Sequence, residues 1–326
     1  MKETTYIWLD NSDRWRTTHH MDWFETLFGF PEGPYHWTQR QFILRNGTLV
    51  SRPNGRRLRA GQFTTPSLAD LRRLVRSQSR KSTLQHQAIG DILPLHAAPE
   101  NAQATFQVAS QFNCLEFMSP QVTPLDGVTR YANNPTQGPA CALAAAGATV
   151  VRNYLANVYG QQGQTDTHQI NTLRTLERSL PGGPFWTIRN GYIFSTSDQL
   201  QRLAAVLESR NRRELMGHVR IGWHRGAEVT FSDRFNVLSS QQLISQTFCS
   251  AVSCAYTDIP IHLWKPLATL VLDAAYEATL LAAAIDRDAG KGSGRIWLTM
   301  LGGGVFRNND EWIYGALKTA LHNTRH

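Results

Sequence analysis

The stretch from Phe106 to Tyr154 constrains the fold more than any other part of the chain. Apolar residues at Phe106, Val108 and Phe112 read as a strand, and Gln111 to Glu116 as a turn carrying Asn113. A long polar loop, 118–137, leads to Gly138-Pro139-Ala140-Cys141-Ala142-Leu143-Ala144-Ala145-Ala146-Gly147-Ala148, which predicts a helix built almost wholly of small residues. Side chains that short let another group approach the helix closely. The free N–H groups at a helix start carry partial positive charge and bind anions, phosphate above all. In open α/β sheets, ligands lie beyond the carboxyl ends of strands, so strand, loop and Gly-Pro helix start together predict a ligand site.

The remaining elements are read from periodicity and caps. Residues 1–65 predict a small α+β element rich in aromatics, including Trp8, Trp15, Trp23 and Trp37, packed on something larger. Hairpins are expected at Asn46-Gly47 and Asn190-Gly191, because Asn-Gly supplies the positive φ that tight turns need. Ser67, with Asp70 three residues on, predicts a capped helix, and Ser197 is expected to cap another. Two β-like segments are expected at 218–223 and 228–231, and a strand within 243–256. Residues 260–266, with His262 and Trp264, read as a loop, and 267–285 as a strong helix. Ile296 to Leu301 reads as a buried parallel strand running into Gly302-Gly303-Gly304, with a last helix from near Asp310.

A chain of 326 residues can hold one elaborated domain. With 41% hydrophobic and 18% charged residues it is ordinary for a globular protein, which argues against wholesale disorder. No apolar run reads as long enough to span a bilayer and no signal core precedes the fold, so a cytoplasmic protein without membrane partners is expected. Four irregularly spaced cysteines predict buried thiols, with neither a disulfide framework nor a metal site. The formal charge of +8 concentrates at 52–81, from Arg52 to Lys81, a span that would attract nucleic acid or an acidic partner. Within it only Phe63 interleaves with the arginines, so a solvated helix face is the competing reading.

Three glycines between a strand and a helix let the backbone wrap a diphosphate and point N–H groups at it. With that loop, the chain resembles the macrodomain family, whose members bind ADP-ribose and in some cases remove ADP-ribosyl groups. Gly90-Asp91-Ile92 is similar to the family's opening motif, where the aspartate accepts from the adenine amino group and the next backbone supports the ring. Phe106 to Asn113 resembles the strand that ends in the Asn binding the distal ribose. Gln137-Gly138-Pro139-Ala140 to Gly147 is similar to the first phosphate loop and its small-residue helix. Ile296 to Asn308 resembles the last core strand and second phosphate loop, with Gly302, Gly303, Gly304, Val305 and Phe306 around the diphosphate, Phe306 beside the distal ribose, and Asn308 a further ligand-binding residue.

The resemblance implies a three-layer α/β/α mixed sheet over 86–326; the extra elements around 160–235 depart from it as an insertion, and residues 1–85, an α+β extension packed on the core, match nothing in the family. It implies binding of ADP-ribose or a related NAD-derived nucleotide, with ADP-ribosyl hydrolysis as a further activity and no cofactor. The first phosphate loop departs from the family pattern: the run of three glycines is missing, and Pro139 stands near the place of an acidic residue. Were a glycosidic bond cut, a carboxylate would have to activate water or stabilise the oxocarbenium-like centre. Glu116 and Asp126, close in sequence to Asn113, are the candidates; a loop carboxylate and an Asp-Gly turn are their plainer readings. The alternative function is a nucleic-acid or protein-binding module that uses the basic span, with a non-catalytic pocket.

Overall fold

The computed structural model describes residues 22–76, 84–85, 89–233, 237–238 and 241–324. The expectations resting on Trp8, Trp15, Arg80 and Lys81 lie outside the described residues. Asp22 caps helix α1 (Trp23–Phe28) by accepting from the Glu25 N–H at 2.8 Å, and Gly29 ends it at φ +79°. Helix α2 (Tyr35–Arg40) leads into an antiparallel meander of β1 (Phe42–Arg45), β2 (Thr48–Ser51) and β3 (Arg57–Arg59). Its first turn is the expected Asn46-Gly47, with φ of 49° and 74°. The pleat sends Phe42, Leu49 and Leu58 into a core with Phe24, Leu27 and Phe28.

Strand β4 (Gln62–Thr64) joins the main sheet, and the expected capping box of Ser67 and Asp70 opens α3 (Leu68–Leu74). Next come α4 (Leu93–Ala97), β5 (Thr105–Ala109), α5 (Gln137–Ala144) and α6 (Ala146–Val150). The single small-residue helix expected over 138–148 is thus broken at Ala145. Thr230 inserts there: its N–H donates to Ala144 O at 2.7 Å, and its hydroxyl accepts from the Ala146 N–H at 2.9 Å. A π-type turn, Val151–Leu155, continues into the small hairpin β6 (Asn157–Val158) and β7 (Gln161–Gln162).

After α7 (Arg174–Ser179), β8 (Thr187–Arg189) and β9 (Tyr192–Phe194) turn at Asn190-Gly191 as expected. Helix α8 (Ser197–Glu208) is capped by Thr196 instead of Ser197, because the Thr196 hydroxyl and the Gln199 side chain close the capping box. Helix α9 (Arg212–Gly217) precedes β10 (Gly222–Glu228). The two segments expected at 218–223 and 228–231 are replaced by this one strand, since Arg225-Gly226 forms a bulge and does not end it. Strand β11 (Leu243–Cys249) is followed by α10 (Ile261–Asp288), which takes in His262 and Trp264, expected in a loop. Pro260 stands at its N-cap, and Pro266, early in the helix, removes one hydrogen bond without ending it. The 28-residue α10 contains an 18-residue window of mean hydropathy 1.5 and so has the length and composition of a membrane span, contrary to the reading that no run comes near; 72% of that window is buried inside the protein.

The buried strand expected over 296–301 shrinks to β12 (Ile296–Trp297), which is half-buried at the sheet edge. Beyond Trp297 the chain leaves β5, and the Thr299 N–H donates to the Gln107 side chain at 3.3 Å. Asn309 caps the last helix, α11 (Asp310–Asn323), which starts where expected. The central sheet is mixed, in the order β12-β5-β11-β10-β4, with β12, β5 and β11 parallel and β10 antiparallel to both its neighbours. Helices pack on both faces. Gln246 donates to Cys141 O of α5 on one face at 2.7 Å, and Gln107 to Thr279 of α10 on the other at 3.1 Å.

Candidate functional site

The chain leaves β5 toward α5 on one face of the sheet. Its neighbours β11 and β12 lead to α10 and α11 on the other. The connections therefore part at the carboxyl end of β5, the kind of crevice in which α/β proteins hold ligands. Because β12 stops pairing at Trp297, the edge of β5 from Gln107 to Ala109 has no strand beside it. Gln137 takes the strand's place: its Oε1 accepts from the Ala109 N–H at 2.8 Å, and its Nε2 donates to Gln107 O at 2.7 Å. This fixes the start of α5 against the end of β5. The approach requires glycine, since a β-carbon on Gly138 would stand 2.0 Å from Ala109 O.

No side chain caps α5. Thr136 occupies the N-cap, but its hydroxyl donates to Asn134 at 2.7 Å, and Pro139 has no N–H to offer. Gln137 and Gly138 thus begin a helix whose positive end lacks a side-chain oxygen. After β12, residues 302–308 form a closed loop beside the segment that follows β11: the Asn308 N–H donates to Gly302 O at 2.9 Å, and its Nδ2 donates to Val252 O at 2.8 Å. Gly302 holds φ +77°, and a β-carbon there would stand 2.4 Å from the Ala251 β-carbon. Asn308 Oδ1 is buried without a hydrogen-bond partner. Gly303 is half-buried, whereas Gly304 opens to free space. Phe306 is buried against Tyr192 and Tyr256, and Met300 and Val305, 37% and 64% exposed, form an apolar rim.

Gly138 also separates this crevice from a sealed chamber, since its absent β-carbon would lie 3.2 Å from Glu116 Cγ. In the chamber, Arg152 Nη2 meets Glu116 Oε2 at 3.3 Å, Arg152 Nε donates to Cys114 O at 3.1 Å, and the guanidinium lies 3.7 Å from the Phe248 ring centre. Both side chains are fully buried. Burial pushes the Glu116 carboxyl up to about 7, with Arg152 pulling the other way. His224 is buried with neither ring nitrogen hydrogen-bonded; burial, helped by the Arg152 charge, holds it down to about 3. The four cysteines are free and buried as expected, and burial raises Cys114 and Cys141 far above the reactive thiol range.

The expected site residues are therefore distributed unevenly. Gly138, Pro139 and Ala140 are buried in the first turn of α5, and Gly302, Gly303, Gly304, Val305, Phe306 and Asn308 lie in the loop after β12, Phe306 and Asn308 buried and Gly304 and Val305 exposed. Asp91 is exposed at the head of α4, with Oδ1 accepting from the Leu93 N–H at 3.0 Å and half-buried Ile92 beside it. Asn113 is enclosed: its Oδ1 accepts from the Leu115 N–H, its Nδ2 donates to Gln169, and the Gly191 backbone of the β8–β9 turn lies directly on it. Glu116 lies in the chamber, and Asp126 caps a short turn by accepting from the Thr123 N–H and hydroxyl. Among the described residues no group of His, Cys, Asp and Glu is placed to hold a metal ion.

Sequence reasoning missed two residues. Arg152 had a signal, since it is the one charge in the apolar run 140–155. Gln137 had none, because its strand-like role exists only once β12 has diverged. Within the described part of the basic span the arginines differ in their partners. Arg72 is held by Glu277 at 2.6 Å and Arg73 by Asp70, both on or against α3, whereas Arg52, Arg57 and Arg59 are exposed on the meander. Comparison with known protein families, curated proteins and solved structures found no match.

Proposed function

We propose that the chain binds ADP-ribose, or a related NAD-derived nucleotide diphosphate, in the crevice at the carboxyl end of β5, as the macrodomain resemblance implies. The observation that carries this reading is the uncapped start of α5, pinned by Gln137 and Gly138 opposite the closed glycine loop 302–308. The diphosphate would lie between the two, with its charge at the positive end of the helix. Asn308 Oδ1, buried and unpaired, is an acceptor for a ribose hydroxyl. Asp91 offers a carboxylate oxygen to the adenine amino group.

The proposal is binding, without hydrolysis. Glu116 is held inside the chamber by Arg152, and Asp126 is occupied by its turn. Neither carboxylate is offered to an anomeric carbon. Calorimetric titration with ADP-ribose tests the reading: saturable binding with one nucleotide per chain is expected, at an affinity of about micromolar, or roughly −8 kcal/mol. Absence of heat with ADP-ribose and with NAD alike would refute it.

A further inference from the structure

The meander presents a second surface that the crevice does not use. Its register sets Ile43, Val50 and Arg57 in one row across the three strands, and Arg45, Thr48 and Arg59 in the next. Since Phe42, Leu49 and Leu58 point into the core, the pleat turns these six residues to the opposite face, where each is exposed or half-buried. Arg57 and Arg59 stand about 6.6 Å apart along β3, and Arg45 is two strands from Arg59, about 9.6 Å away. Such spacings suit successive phosphates of one nucleic-acid strand.

Charge balance sharpens the point. Between Glu32 and Asp70 the sequence has no carboxylate, but it has Arg40, Arg45, Arg52, Arg56, Arg57 and Arg59. Among the described residues none of these six arginines holds an ion pair, although eight others in the molecule do. Glu228, on β10, accepts from the backbone N–H of Arg59 at 2.9 Å and holds no ion pair with these arginines. At the β1 edge, on the core-facing side to which Phe42 and Leu44 point, Arg40 and Arg52 line a groove of about 450 Å³ together with Leu155. Trp37, 40% exposed, lies one turn before Arg40 on α2.

We propose that the arginines on the outer face of the meander bind the phosphate backbone of a single-stranded nucleic acid, which continues over the β1 edge to the Arg40–Arg52 groove. Unneutralised guanidinium groups take phosphate oxygens in bidentate fashion and release the strand's counterions. Trp37 offers a face on which a base can stack, in the manner of sequence-tolerant single-strand binders. The outer face offers arginines to phosphates, so recognition is of the backbone.

The test is fluorescence anisotropy of the full chain with a labelled oligouridylate of about twelve nucleotides, a length within the range of single-strand sites. The logarithm of affinity should fall with the logarithm of salt concentration, at about −0.7 per phosphate held. Arg57→Gln with Arg59→Gln should weaken binding by about tenfold and make that slope shallower by about 1.4. Arg202→Gln, at an exposed arginine paired with Asp198 on α8, should change neither quantity. Both substituted strand positions are exposed, and circular dichroism checks that the fold is kept. No binding by the parent chain at about 50 mM salt, or equal binding by the double variant, overturns the proposal. Sedimentation with phosphatidylserine vesicles covers the other polyanion: arginine-dependent vesicle binding without oligonucleotide binding would overturn it as well.

Discussion

The crevice beside β5 and the chamber around Arg152 adjoin across Gly138, yet they are made of opposite materials. The crevice is bounded by backbone, by an uncapped helix start and by glycines at 138, 302 and 304, with one unpaired amide oxygen. The chamber holds the ionisable groups, Glu116, Arg152 and His224, and seals them from solvent. The charged residues nearest to the candidate site in sequence thus serve the fold. The backbone at the start of α5 and at the glycines of the 302–308 loop is what the carboxyl end of β5 offers instead.

That contrast can be broken most forcefully from the chamber side. Arg152→Met removes the charge that compensates Glu116, leaving a buried carboxylate unpaired, and should destabilise the chain by about 3–5 kcal/mol. Urea unfolding measures this, and adding Glu116→Gln should restore part of the loss. A variant as stable as the parent would mean that the chamber is not sealed. Gly302→Ala comes next, because it forces a β-carbon against Ala251 at a left-handed φ. A loss of about 1–3 kcal/mol is expected in the same unfolding experiment.

A smaller effect comes from buried titrating groups. Burial holds His224 of the chamber down to about 3, and His96, on α4 and stacked on Phe106, down to about 4, whereas both titrate near 6.5 once unfolded. The unfolded chain therefore takes up their protons first, and stability present above that pH is lost as pH falls toward the folded values. Glu116 acts in the opposite sense: its raised folded value means that protonation on acidification from about 7 favours the folded chain. His224→Phe should flatten the loss of stability between about pH 6 and 5 by roughly 1.4 kcal/mol per pH unit. Unfolding free energies measured across that window check it, and an unchanged slope would show that His224 is not held neutral.

Much of this fold is legible in local sequence. Asn46-Gly47, Asn190-Gly191, the Ser67 capping box and the Asn309-capped helix fall where turn and cap chemistry put them, because each depends on residues within four positions. What local reading misses depends on distant partners. Ala145 breaks its helix because Thr230, 85 positions later, takes over the ladder. β12 ends early because Gln107 and Gln137 offer side-chain amides where a strand would pair. The site divides the same way: the glycines at 138 and 302 to 304 are legible by their company, whereas Asn113 looks ligand-facing until the β8–β9 turn covers it.

Gly304→Glu is the sharpest comparison, because it touches the crevice and nothing else. A β-carbon at Gly304 meets no atom within 4 Å, and the glycine is not at positive φ. Its unfolding free energy should therefore stay within about 0.5 kcal/mol of the parent. The added carboxylate would occupy the diphosphate position and repel it, so calorimetric titration with ADP-ribose should show affinity lowered by about a hundredfold or more, near 3 kcal/mol. ADP-ribose bound by Gly304→Glu as tightly as by the parent chain would contradict the placement of the nucleotide between α5 and the 302–308 loop.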